Sequence, residues 1–98
     1  VKNIFGGSLR QVILYGSYAR GDYREDSDVD VMILVDLTDM EIKEYQRKLS
    51  DLTFDFNMDN DLDIKPIVKN EGHFLKWIQN YPFYSNVKRE GVVLFGAA

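Results

Sequence analysis

Apolar and polar positions along the chain change period several times, and each change marks an element. Residues 1–5 read as the tail of a helix stopped at Gly6-Gly7. Residues 11–15, QVILY, form an apolar, β-branched run that predicts a buried strand. Gly16-Ser17 ends it, and Ser17 is suited to cap a short helical turn through Arg20. Residues 21–27 are polar and predict a loop. Residues 28–35, DVDVMILV, predict a second strand, with Val29, Val31, Ile33 and Val35 on the face turned to the core. Ile42, Tyr45, Leu49, Leu52 and Phe56 then recur at helical spacing and predict a helix over 39–58. Thr38 or Asp39 would cap it, with Glu41 and Glu44 near its N-terminus. The stretch 53–58, TFDFNM, also alternates as a strand would, but the unbroken stripe favours helix.

Residues 61–68, DLDIKPIV, alternate and predict a third strand, which Pro66 confines to an edge or to the strand's end. Residues 71–79 and 82–90 predict two short helices around the breaker Tyr81-Pro82. Gly91 ends the second, leaving 92–95 as a short extended tail. The order α-β-α-β-α-β-α-α predicts an α/β fold, a small mixed β-sheet packed with helices.

A length of 98 residues predicts a single domain spanning 1–98, with a modest core. Val1 is an unusual natural start, so further residues before it are expected. The longest aliphatic run, 31–35, is far short of the ~20 residues of a membrane helix. The absence of cysteine excludes a disulfide scaffold and thiolate zinc sites, and the single histidine, His73, excludes a multi-histidine centre. A formal charge of −4 argues against a surface that grips extended nucleic acid. That charge is concentrated: Asp22, Glu25, Asp26, Asp28, Asp30 and Asp36, against Arg24 alone, make residues 22–36 net −5 and leave the rest at +1.

This acidic stretch runs directly into an apolar strand. Asp28 and Asp30 share a strand face, so their charges repel unless a cation lies between them. Mg²⁺, which takes one or two carboxylates plus waters and phosphates, suits such a pair. A calcium loop does not fit. Counting from Asp26 places Val31 where glycine is needed and Leu37 where a glutamate is needed, and counting from Asp59 places Ile64 and Asn70 there. A capped, half-exposed loop is the plain alternative for the two aspartates. Gly16-Ser17 adds a glycine that lets a ligand approach the backbone and a hydroxyl at the head of a helical turn, where phosphates bind.

Gly16-Ser17, ten intervening residues and Asp28-x-Asp30 together resemble the signature of the DNA polymerase β-type nucleotidyltransferases. The segment 16–35, GSYARGDYREDSDVDVMILV, carries the resemblance, with Arg20-Gly21 and Ser27 flanking the motif. The short length resembles the minimal nucleotidyltransferase (MNT) branch, whose members are often antitoxins paired with HEPN ribonuclease toxins. The resemblance implies a third carboxylate on a neighbouring strand, at Asp63, with Asp61 on the same strand face as the fallback. It implies two Mg²⁺ ions held by Asp28, Asp30 and Asp63, and Gly16 with Ser17 on the β- and γ-phosphates. Arg20 would steady the triphosphate; a surface salt bridge to Asp22 is its plain alternative. It further implies transfer of a nucleoside monophosphate, AMP from ATP, to a hydroxyl of a partner protein in the cytoplasm, a HEPN-type toxin being that partner. A small-molecule transferase and a non-catalytic antitoxin that acts by contact remain alternatives. No residue has a readable base-specific role.

The other residues read as structural. His73 reads as a helix-surface residue. Phe74, Trp77 and Ile78 read as a packing face. Tyr81, Phe83 and Tyr84 read as core packing, with a partner surface as the alternative.

Overall fold

A computed structural model describes residues 5–21, 28–60 and 63–95. A 3₁₀ turn, Gly6–Ser8, leads into strand β1, Leu9–Tyr15, and a four-residue helix α1, Ser17–Arg20. Strand β2 is Val29–Val35, helix α2 is Asp39–Asn60 and strand β3 is Ile64–Asn70. Helices α3, Glu71–Trp77, and α4, Pro82–Glu90, precede strand β4, Val92–Phe95. The expected α/β fold is present: one four-stranded mixed sheet in the order β3-β2-β1-β4, with helices packed on it.

Three strands were expected, and the described residues form four. Residues 92–95 are not a loose tail. They pair antiparallel with β1, Ile13 opposite Val93 and Leu14 opposite Val92. Gly91 makes this return possible, because a Cβ there would collide with Ile13 and with the Val87 carbonyl. Strand β3 lies at the opposite edge, parallel to β2. Pro66 is tolerated within it because one side of an edge strand needs no N–H.

The side of β2 expected to face the core does so, and the opposite side is buried as well. Ile33 and Val35 pack with Phe5, Leu9, Ile42, Leu49 and Val68 on the α2 side. Met32 and Leu34, on the opposite face, are equally buried against Phe74, Tyr84 and Val87 of α3 and α4. A central strand covered on both faces reads as a continuous apolar run, which is what residues 31–35 are. Val29 and Val31 are half-buried.

Helix α2 begins with a capping box. Glu41 N–H donates to Thr38 Oγ1 at 3.2 Å and Thr38 N–H donates to Glu41 Oε1 at 3.0 Å. The helix continues to Asn60, so the alternating stretch 53–58 is helical. Its apolar stripe is only half used. Ile42 and Leu49 are buried, whereas Leu52 and Phe56 are 44% and 48% exposed. Leu52 and Phe56 nevertheless lie over the sheet, where they border an open apolar groove with Val31, Ile33, Ile64 and Pro66. Phe74 is buried, Trp77 and Ile78 are half-buried beside it, and His73 is exposed, as expected. Among the described residues, no helix is long and apolar enough to cross a membrane.

Candidate active site

The C-terminal end of β1 and the N-terminal ends of β2 and β3 meet at one edge of the sheet. Pairing sets the residues there. Tyr15 stands opposite Asp30 across the β1–β2 ladder. Val29 stands opposite Ile64 across β2–β3, and its N–H donates to the Asp63 carbonyl at 2.9 Å, so Asp63 lies beside Asp28. Three carboxylates from two separate parts of the sequence are thereby gathered at one strand end.

Gly16 turns the chain out of β1 at φ +75°, a left-handed conformation that favours glycine. A Cβ at this position would also collide with the Asp30 carboxylate. Two separate physical reasons therefore demand glycine beside an aspartate that lies fourteen residues away. The turn continues into α1, where Arg20 N–H donates to the Gly16 carbonyl at 3.1 Å. Ser17 is the first residue of α1 rather than a residue preceding it. Its side chain lies outside the described residues, as do Asp22, Ser27 and the fallback acid Asp61.

The electrostatics reflect the crowding. Asp30 is pushed up from the ordinary carboxylate value, first by burial and then by the charge of Asp28, with Lys65 and Arg20 pulling the other way. Asp63 is also pushed up, first by a hydrogen bond with the Asp28 carboxyl. Lys65 Nζ lies 3.5 Å from Asp28 Oδ2, a protein cation against the acidic cluster. Burial and the nearby Asp30 charge push the Tyr15 hydroxyl up to about 12, so it remains protonated at neutral pH. Among the described residues no group of three or more acids or histidines converges tightly enough to cage an ion unaided. The donor set nevertheless fits Mg²⁺ chemically, because that ion keeps waters and takes substrate phosphates to complete its shell.

Above these carboxylates lies an open cleft of about 480 Å³. Such a volume falls in the range of ~300–1,000 Å³ for small-molecule sites. Tyr15, Gly16, Arg20, Asp28 and Asp30 form one side, and α4 supplies the other through Phe83, Asn86 and Glu90. Arg20 is bridged across the rim: its Nη1 lies 3.5 Å from Glu90 Oε2. The anticipated Asp22 bridge falls outside the described residues. Of the aromatic residues assigned to packing, Tyr84 is buried, whereas Tyr81 is exposed and Phe83 is an exposed cleft wall. The sequence reading did not place α4 in the cleft. Phe83, Asn86 and Glu90 follow helical spacing, but only the packing of Tyr84 and Val87 into the sheet shows that this face overlies β1 and β2.

A mixed sheet with a glycine turn and paired aspartates at one strand end is the framework of a nucleotidyltransferase, and solved structures share the fold. A crystal structure of a toxin-antitoxin with AMP-PNP aligns with TM-score 0.57 and 20% identity, over 98% of this chain and 68% of that one. A mutant of the MntA-HpeT toxin-antitoxin aligns with TM-score 0.57 and 18% identity at the same coverage. Residues 2–97 match the family described as Polymerase beta, Nucleotidyltransferase, and the chain belongs to it. Two relatives come from Methanocaldococcus jannaschii. "Putative protein adenylyltransferase MJ0604" is 38% identical over 95 residues, 97% of this chain and 87% of that protein. "Putative protein adenylyltransferase MJ0141" is 37% identical over 84 residues, 83% of each chain.

Proposed function

We propose that this chain is a single-domain, cytoplasmic, Mg²⁺-dependent protein adenylyltransferase that moves AMP from ATP to a hydroxyl of a partner protein. The partner is a HEPN-type toxin, for which this chain serves as antitoxin. The observation that carries the reading is the convergence of Gly16, Asp28 and Asp30 in one open cleft, with Asp63 next to Asp28 at the start of the neighbouring strand. The names of the two relatives support a protein acceptor, and the toxin-antitoxin structures that share the fold support the choice of partner.

In this reading Asp28, Asp30 and Asp63 would hold the two Mg²⁺ ions. When bound, these ions supply positive charge against the triphosphate and lower the pKa of the acceptor hydroxyl. The Gly16 backbone and Ser17 bind the β- and γ-phosphates, and Arg20, on the same rim, steadies them. The acceptor oxygen forms its bond to the α-phosphorus as the bond to the β-phosphate oxygen breaks, and pyrophosphate leaves. Asp63, exposed beside Asp28, takes the acceptor's proton on a carboxylate oxygen. A protein acceptor suits an open cleft, because it brings its own surface to cover the site. The added phosphates place negative charge on the toxin and repel RNA from it.

The test is incubation of the partner toxin with this chain, Mg²⁺ and each NTP in turn. Intact mass and ribonuclease activity are then read. The expected result is a mass gain of one or more AMP groups, loss of ribonuclease activity, and neither with Asp28→Ala/Asp30→Ala. A double variant that neutralises the toxin as well as the wild type would replace this reading with inhibition by contact. Modification of an antibiotic in place of the toxin would establish the small-molecule reading.

A further inference from the structure

The proposed reaction accounts for the triphosphate and leaves the nucleobase unplaced. The α4 side of the cleft has the chemistry for it. Phe83 is 44% exposed, although it borders a cleft rich in carboxylates. Its orientation is held by two other rings. Tyr15 meets it edge-on, with centroids 5.6 Å apart at 82°, and Tyr84 lies 6.1 Å away at 51°. A flat apolar ring held this way, with much of its surface open to the cleft, suits a flat aromatic ligand in offset stacking.

Asn86, three residues on, lines the same wall. Its Oδ1 accepts from Arg89 Nη2 at 2.8 Å. Arginine offers only donors, so this bond orients the amide and turns its Nδ2 hydrogens away from Arg89. Those hydrogens suit a ring nitrogen or a carbonyl oxygen, which every base carries. Arg89 also lies 3.7 Å from Glu90 Oε1, so its charge is already engaged by α4 neighbours. The α4 wall therefore offers an aromatic face and an amide donor, while the glycine turn and Arg20 lie across the cleft.

We infer that the α4 wall is the nucleobase subsite: the base stacks on Phe83 and accepts a hydrogen bond from Asn86 Nδ2. This rests on the nucleotide-binding reading of the cleft and extends it to the residues that give the base its affinity. The same placement orients the nucleotide, with its base toward α4 and its phosphates toward Gly16.

Calorimetry with Mg²⁺-ATP and Mg²⁺-tripolyphosphate separates base from phosphate binding. Phe83→Leu keeps apolar bulk and removes the ring. It should weaken ATP about tenfold, in line with base stacking on aromatic side chains, and leave tripolyphosphate within about twofold. Phe83→Trp should hold ATP at least as well as wild type. Asn86→Asp replaces the donor with an acceptor and should weaken ATP but not tripolyphosphate beyond the effect of its added charge, which Asn86→Ser controls for. Unchanged ATP affinity in Phe83→Leu would overturn the inference, and so would equal loss of both ligands. Loss of transfer with ATP binding intact would reassign Phe83 to the acceptor and also overturn it. If Phe83→Leu does not fold, Phe83→Trp and Asn86→Ser decide: selective loss of ATP in the first, or none in the second, overturns it. Wild type that binds neither ligand would instead defeat the nucleotide reading on which the inference rests.

Discussion

Single residues at the strand ends are held in place by conflicts of space and charge, and these make the sharpest expectations. Gly16 combines a positive φ with a side that already faces the Asp30 carboxylate. Gly16→Ala should cost about 1–3 kcal/mol of stability, from backbone strain and displacement of Asp30. Transfer should fall more than that loss explains, which urea denaturation and activity on the same samples would reveal. Asp30 has the opposite balance. Its folded pKa lies above the ordinary 3.8, so the folded state binds its proton more tightly than the unfolded state does. Stability from this group is therefore greatest at low pH and falls as pH rises through the window between the two values. At neutral pH the ionised Asp30 weighs against the metal-free fold. Asp30→Asn should melt at the same or a higher temperature at pH 7 without metal, while transfer is abolished. A variant that fails to fold would make Asp30 a structural residue.

Among the elements, α2 has two polar anchors with different consequences. At its start, the Thr38–Glu41 capping box satisfies helix N–H groups far from the cleft. Near its end, Asn57 bonds both ways with the backbone of Ile64: Nδ2 donates to the carbonyl at 3.2 Å and Oδ1 accepts from the N–H at 3.0 Å. The second anchor fixes the start of β3, the residue after Asp63. Thr38→Ala should cost about 1 kcal/mol with little change in transfer. Asn57→Ala should cost about 1–3 kcal/mol, because it leaves partly buried backbone groups without their partner. It should also lower transfer, since Asp63 loses its fixed neighbour. Measuring both variants at matched stability, by adjusting temperature, distinguishes anchoring of the site from general weakening.

For the whole molecule, the decisive quantity is how binding depends on metal. The net charge is −4, and the cleft floor carries Asp28 and Asp30 where the proposed reaction puts a polyanionic nucleotide. Lys65 and Arg20 are the cations that act on Asp30, too little to offset a triphosphate as well as the carboxylates. ATP affinity should therefore rise at least tenfold on adding Mg²⁺ and collapse in chelator, as read by calorimetry. Equal affinity with and without metal would remove the two-ion reading. At this scale the chain also exposes Phe54 and Met58 on α2, alongside Leu52 and Phe56.

Much of this was legible in the sequence because local rules settle it. Alternation and apolar runs placed β1, β2 and β3 within a few residues, since period depends on backbone geometry alone. Helical spacing placed α2, and Tyr81-Pro82 placed the start of α4. The spacing of Gly16-Ser17 and Asp28-x-Asp30, through the resemblance it carries, pointed to Gly16, Asp28 and Asp30, which line the cleft. Other features depended on pairing between distant segments. Strand β4 became a strand only because β1 offered it an edge. The inner stripe of α2 is half exposed because Leu52 and Phe56 border a groove against β2 and β3 that the packing leaves open. Gly16 proved irreplaceable only once β2 brought Asp30 against it, and Asp63 met Asp28 only through the parallel β2–β3 register. The α4 wall of Phe83, Asn86 and Glu90 carries no local mark of a binding surface, because its meaning comes from what it faces. Sequence alone determined most of the elements and which side chains carry charge; the tertiary structure decided that 92–95 form a strand and which of those charges share a space.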